Sequence, residues 1–292
     1  MKKLNYLITT SGKFHYFEIA KILYERNQLS KIVTGYPWFK LKNEKLPKKI
    51  VKSSGLYQII NYFLHRIPKI NLNKLINTID YINKKKIDHA TLQQIFNADV
   101  LISSVQSGMI AGKKAKELNK IYMCDQSSAH ILFEDNLISE ELELLNVKRK
   151  IYLDERIKER ALEEYNDSDF ILVPSNYVKS TFKNHYHSKI FVNNFGINTK
   201  NFYPIENHKK NNDSFNIIYI GGVSIRKGIH YLIDAFNKLK YSNKKLHLIG
   251  DHVNNDKEFL KSKINQENII VYGHVHHLKL NKILNDCHVF VT

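Results

Sequence analysis

Cysteine is nearly absent from this chain. Its 292 residues contain two, Cys124 and Cys287, each in or beside an apolar run. Two such residues make neither a disulfide framework nor a zinc cluster, so they read as small buried hydrophobes in a protein of the reducing cytoplasm. Long apolar runs are also missing. No segment approaches eighteen consecutive apolar residues, so no membrane span is expected. The first residues, MKKLNYLITTSGKF, carry two lysines but too short an apolar run for a signal peptide. Acidic residues are scarce: 28 Asp and Glu face 45 Lys and Arg, a formal charge of +17. Such an excess attracts polyanions, whether nucleic acid, an anionic membrane face or nucleotide substrates, although Lys, Asn and Ile enrichment also follows from biased codon usage. No RRM, KH or helix-turn-helix signature is present, which argues against a nucleic-acid partner. No repeat at a period of 20 to 50 residues is visible.

What is present suffices for two cores. The apolar fraction is 43% and the aromatic fraction 11%. Apolar runs alternate with amphipathic stretches: strands at 4–9, 31–34, 99–103, 121–125, 170–173 and 190–193, with helices at 12–26, 108–118 and 154–165 and one opened by Ser175 (NYVKSTFKN). Strands alternating with helices imply an α/β fold with a parallel sheet covered on both faces. The polar stretch 198–214 reads as a linker. Alternation then restarts, with strands at 215–220, 246–249, 268–272 and 288–291 and helices at 228–239, 256–264 and 278–285. The expected organisation is therefore a first domain over 1–197, a linker over 198–214 and a second domain over 215–292. Residues 40–86 hold twelve Lys and Arg against Glu44 and Asp80, with aromatic and aliphatic residues at helical spacing among them. This stretch reads as a helical hairpin with a basic face, compatible with an anionic membrane surface.

The segment Ile217–Gly228, IIYIGGVSIRKG, concentrates the chemistry. An apolar strand ends in Gly221-Gly222, Arg226 and Lys227 follow, and Gly228 leads into the helical run IHYLIDAFNKL. Cations at the turn into a helix N-terminus suit a diphosphate. In the first half, Ser11-Gly12 follows the first strand, where a glycine frees the backbone for close approach to a ligand, and His15 lies in the next turn. His130 lies in DQSSAHI, after the carboxyl end of a strand, where ligands of such sheets bind. Asp125 stands to orient His130 or to cap its loop. The glutamates of SEELELL and ERALEEY read as solvated helix faces, and none is assigned a role. Three histidines close together in GHVHHLKL make no metal site without further ligands.

Five stretches in order resemble the family 4 glycosyltransferases, retaining enzymes of the GT-B fold: DFILVPSNYVKSTF, KIFVNNFGINTKNFYP, YIGGVSIRKGIHYLIDAF, LHLIGD and VYGHV. The resemblance implies two facing Rossmann-like domains, the acceptor bound mainly by the first and a nucleotide-sugar donor mainly by the second. It implies that Lys227 binds the donor diphosphate and that His130 lies near the donor sugar. Gly12, Gly221 and Gly222 belong to the loops that approach the donor. The family's arginine five residues before the lysine falls on Gly222, so Arg226 is the candidate second cation. The reaction implied is sugar transfer to a hydroxyl of a glycan or lipid-linked acceptor, with retention, in cell-surface polysaccharide synthesis. The leaving phosphate takes the acceptor proton, and no metal or other cofactor is expected. The place expected for it is the cytoplasm, peripheral at the inner membrane face. The family continues past HVFVT with glutamate motifs that hold the donor. The second domain is therefore expected to be incomplete, with strands in the order three-two-one-four, its activity impaired by truncation or restored by another chain.

Overall fold

A computed structural model of the chain describes residues 3–64, 73–147, 153–197, 199–208, 213–251 and 256–292. The chain divides into two compact units, Met1–Glu140 with Arg149–Phe195, and Glu141–Lys148 with Gly196–Thr292.

The first unit is a seven-stranded parallel sheet. Its strands are β1 (Tyr6–Thr10), β2 (Leu29–Thr34), β3 (Val51–Ser53), β4 (Val100–Ser104), β5 (Ile121–Asp125), β6 (Phe170–Val173) and β7 (Ile190–Val192), in the order β3-β2-β1-β4-β5-β6-β7. The helices are α1 (Tyr16–Glu25), α2 (Leu56–Leu64), α3 (Asn73–Leu92), α4 (Met109–Glu117), the first part of α5 (Ile131–Leu144), α6 (Glu155–Asp167) and α7 (Asn176–Ser180). Successive strand residues point to opposite faces, and here both faces are buried. Leu7 and Leu101 join one core cluster with Tyr122 and Tyr165, while Ile8, Val100 and Ile102 join the other with Tyr16 and Phe17.

Two local expectations need correction. The lysine-rich stretch after residue 43 is not only helical, because Val51–Ser53 adds an edge strand beside β2. A strand of three residues containing Lys52 is too short to show a period. Helix α7 stops at Ser180, where the hydroxyls of Ser180 and Thr181 donate to the carbonyls of Tyr177 and Val178, both at 2.7 Å. These bonds compete with continued helix.

The second unit is a four-stranded parallel sheet of β8 (Phe215–Ile220), β9 (Lys244–Ile249), β10 (Ile269–Gly273) and β11 (Val289–Val291), ordered β10-β9-β8-β11. This is the expected three-two-one-four order. Helices α8 (Ile229–Lys238), α9 (Lys257–Ile264) and α10 (His277–Asp286) connect the strands. Part of the linker stretch is held rather than loose. The N–H groups of Tyr203 and Ile205 donate to the side chains of Asn281 and Asn285 on α10, and His208 pairs with Asp286 at 2.6 Å. Residues 198 and 209–212 lie outside the described residues.

The strand ends of this sheet close through backbone alone. Gly221 N–H donates to the Ile249 carbonyl at 2.8 Å, and Gly250 N–H donates to the Gly273 carbonyl at 2.9 Å. A Cβ on Gly250 would sit 1.8 Å from the Gly221 carbonyl oxygen, and its φ of +142° already disfavours side chains. Backbone cannot swing aside as a side chain can. Gly250→Ala is therefore expected to lower stability by about 2–4 kcal/mol, read from urea denaturation against the parent chain.

Candidate functional site

In the second unit the candidate residues gather after β8. Gly221-Gly222 follows the strand, Ile225–Lys227 forms one tight turn, and Gly228 enters α8 in a left-handed conformation, φ +67° and ψ +23°. Glycine adopts that conformation without steric cost. The turn is anchored on its buried side: Ile225 N–H donates to the Asp256 carboxylate at 2.9 Å, and Val223 N–H donates to the Asp251 carbonyl at 3.0 Å. The N–H groups of Lys227, Gly228 and Ile229 are taken up by carbonyls within the turn. Positive charge thus comes here from side chains more than from open amides. Arg226 and Lys227 are both exposed, whereas Val223, Ser224 and Ile225 are buried. Burial pushes the Tyr219 phenol up, with Arg226 acting the other way, which places the guanidinium within electrostatic reach of that ring. Tyr219 donates to the Gly222 carbonyl at 3.1 Å. A Cβ on Gly222 would meet open space.

In the first unit, residues at the carboxyl ends of β1 and β5 come together. Thr10 Oγ1 accepts from Gly12 N–H at 3.3 Å and donates to the Gly12 carbonyl at 3.1 Å, tying the loop to the strand. The Phe14 ring lies over Gly12, where a Cβ would stand 2.4 Å from Phe14 Cε2, the far end of an exposed side chain that can swing aside. Phe14 has φ +36°, a left-handed backbone that costs a non-glycine residue about 1–3 kcal/mol. His15 Nε2 lies 2.9 Å from Asp125 Oδ2. Asp125 therefore pairs with His15, not with His130.

His130 sits elsewhere in the same unit. Its N–H donates to Thr181 Oγ1 at 2.9 Å, and its Nδ1 accepts from Leu132 N–H at 3.3 Å. Tyr165, Phe182 and Tyr186 surround the ring. With Nδ1 occupied as an acceptor, the neutral ring carries its proton on Nε2. Burial, helped by Lys183 and His185, holds its pKa at about 4. At neutral pH the ring is therefore neutral, with Nε2–H as its donor.

One polar cluster escaped the sequence reading. Glu164 is fully buried on α6 and accepts from the N–H groups of Gln106 at 2.6 Å and Gly108 at 3.0 Å. Arg160 donates to Asp88 at 2.6 Å and to the Gln106 carbonyl at 3.0 Å. Asp88 accepts from the first amides of α4, Ile110 and Ala111, both at 2.9 Å. This cluster holds the loop after β4, including Gln106 at φ +72°. The signal was available: Ile157, Ala161, Glu164 and Tyr165 fall on one helical face, so Glu164 belongs to the apolar stripe. Glu141, from the same acidic runs, is also engaged, accepting from His230 at 2.7 Å and Tyr231 at 3.0 Å within the second unit.

Burial, outweighing Arg160 and the two amides, raises the Glu164 pKa to about 8. The unfolded chain binds this proton more weakly. The stabilisation is present below the unfolded carboxyl value near 4.5 and is lost as pH rises through about 8. His130 works in the opposite sense: its contribution is present above the unfolded value of 6.5 and lost as pH falls towards about 4. Glu164→Gln is expected to flatten the loss of stability between about pH 4.5 and about pH 8, read from urea denaturation across that range. In NMR titration the His130 ring should remain neutral down to about pH 5. A ring that titrates near 6.5 would contradict the geometry.

Residues 204–292 match the family model described as glycosyl transferases group 1. No curated protein sequence matches the chain. Among solved structures, sucrose-phosphate synthase from Thermosynechococcus elongatus is similar over 98% of this chain and 74% of its own, with 15% identity and a TM-score of 0.64. Anabaena HepE in complex with UDP and glucose is similar over 98% of this chain and 73% of its own, with 12% identity and a TM-score of 0.63. A putative UDP-N-acetylglucosamine 2-epimerase from Listeria monocytogenes is similar over 99% of this chain at 8% identity, with a TM-score of 0.51. The chain has the two-unit α/β fold of the GT-B glycosyltransferases, and its second unit carries the glycosyl transferases group 1 segment.

Proposed function

We propose that this chain moves a sugar from a nucleotide-diphosphate donor to a hydroxyl of a glycan or lipid-linked acceptor, in the synthesis of a cell-surface polysaccharide. The observation that carries the reading is the turn Gly221–Gly228. It presents Arg226 and Lys227 at the carboxyl end of β8, inside the segment that matches the glycosyl transferases group 1. Charge develops on the leaving diphosphate during transfer, and fixed cations placed there stabilise that charge more than they stabilise the ground state. The resemblance of the same segment to the family 4 enzymes supports retention, with the leaving phosphate taking the acceptor proton and no metal required. His130, neutral and donating through Nε2, suits a contact with a donor-sugar hydroxyl.

UDP-glucose is the first donor to try, because HepE is solved in complex with it. Lys227→Ala and Arg226→Ala should each weaken UDP-glucose binding by about 10- to 100-fold, the worth of one charge-assisted contact. Gly222→Arg restores a cation where the family resemblance expects one, in open space, and should tighten binding. Unchanged calorimetric affinity in both alanine variants would sink the donor assignment.

Anionic membrane is the proposed setting for the acceptor, peripheral at the cytoplasmic face. No helix among the described residues is long and apolar enough to cross a bilayer. The basic stretch 40–86 and its flank expose Phe39, Leu56 and Phe63 among lysines; residues 65–72 lie outside the described residues. Apolar side chains flanked by cations suit an interface carrying anionic headgroups. Co-sedimentation with phosphatidylglycerol vesicles should fall steeply with salt and be lost with neutral phosphatidylcholine. Equal binding to both lipids would refute the electrostatic attachment.

A further inference from the structure

The loop after β1 is built in a way that a plain strand-to-helix turn does not require. Phe14 is 70% exposed yet holds a left-handed backbone, and its ring covers Gly12. An aromatic residue held in a strained conformation with its ring largely in solvent gains little from the core. Strain of that kind gathers at sites that use it. The neighbouring His15 is fixed through one ring nitrogen by the buried carboxylate of Asp125 at 2.9 Å. His15 also packs against Tyr16, with ring centres 4.2 Å apart, and against Phe195, 4.6 Å apart. Phe195 is itself half exposed. The half-exposed ring of Phe195 thus stands against an oriented imidazole, and the exposed Phe14 directly precedes that histidine in the chain, all within the first unit.

The chemistry of this cluster selects a ligand class. A pyranose ring has an apolar face of C–H groups and a rim of hydroxyls. Flat aromatic side chains cover the first, and a few well-placed polar groups fix the second. In the neutral tautomer that donates Nε2–H to Asp125, the second nitrogen of His15 has a lone pair, which accepts a hydrogen bond from a hydroxyl. We infer that Phe14, His15 and Asp125, with Phe195 beside them, form the subsite that grips the acceptor sugar, Phe14 stacking on the ring and His15 accepting from a hydroxyl. This rests on the reading of the chain as a sugar transferase and names the acceptor's contacts. His15 binds and aims the hydroxyl, Asp125 is a positioning residue acting through it, and neither takes the proton.

Saturation-transfer NMR on the full chain tests the assignment, with a panel of methyl α- and β-pyranosides of glucose, galactose, mannose and N-acetylglucosamine as probes. At least one should show saturation of its ring protons. Phe14→Ala should reduce that signal about fivefold, while Phe14→Trp keeps it. His15→Ala and Asp125→Asn should weaken binding of the same sugar. The saturation of UDP should be unchanged in all four variants, which shows that each is folded. Silence of the whole panel towards the parent chain, or an unchanged signal in both Phe14→Ala and His15→Ala, would overturn the subsite. Binding of pyranosides without binding of UDP would instead defeat the donor reading and leave the subsite standing.

Discussion

The second unit depends on one close approach of backbone to backbone. Gly250, at the end of β9, packs against the carbonyl of Gly221 at the end of β8, closer than any side chain allows. Two amide bonds, from Gly221 to Ile249 and from Gly250 to Gly273, lock the ends of three strands at this point. The turn that follows is then fixed from behind by Asp256 and Asp251. The backbone that carries Arg226 and Lys227 is held in this way. Preorganised charge is what electrostatic catalysis needs, since charge that must first be assembled stabilises a transition state less.

The first unit solves a related problem with polar side chains. Parallel strands end in loops whose amides have no ladder partners, and burial of those amides unpaired would be costly. Thr10 satisfies the loop after β1, and Gln126 supports the loop after β5 through Ser128 and the Ala129 carbonyl. Asp88, Arg160 and Glu164 satisfy the loop after β4. Side chains thus hold the loops at the carboxyl ends of β1, β4 and β5, where Phe14, His15 and His130 lie. The two histidines have different chemistry for a physical reason. His130 has its Nδ1 occupied and is buried among aromatic rings, whereas His15 faces a carboxylate and stays partly exposed.

Much of this was legible in the amino-acid order, because strand and helix periods and glycine turns are local signals. Strand Ile121–Asp125 and strand Phe215–Ile220 have the bounds that their apolar runs suggest, and the second sheet has the strand order expected of the resembled fold. What was not legible depends on contacts between distant residues. The partner of Asp125 is 110 residues away, and that of Glu164 is 58 residues away. Neither distance leaves a trace in composition. Strand β3 borrows its hydrogen bonds from β2, so its own three residues carry no period. The strained backbone of Phe14 is likewise invisible in sequence, because nothing in the order SGKFHY marks a positive φ.

The central claim is that a donor diphosphate rests on the turn after β8. Amide NMR of the isotopically labelled chain during UDP-glucose titration tests it most directly. The account predicts saturable shifts centred on Gly221, Gly222, Lys227 and Gly228. Shifts confined to the basic stretch 40–86, or none at the turn after β8, would contradict it.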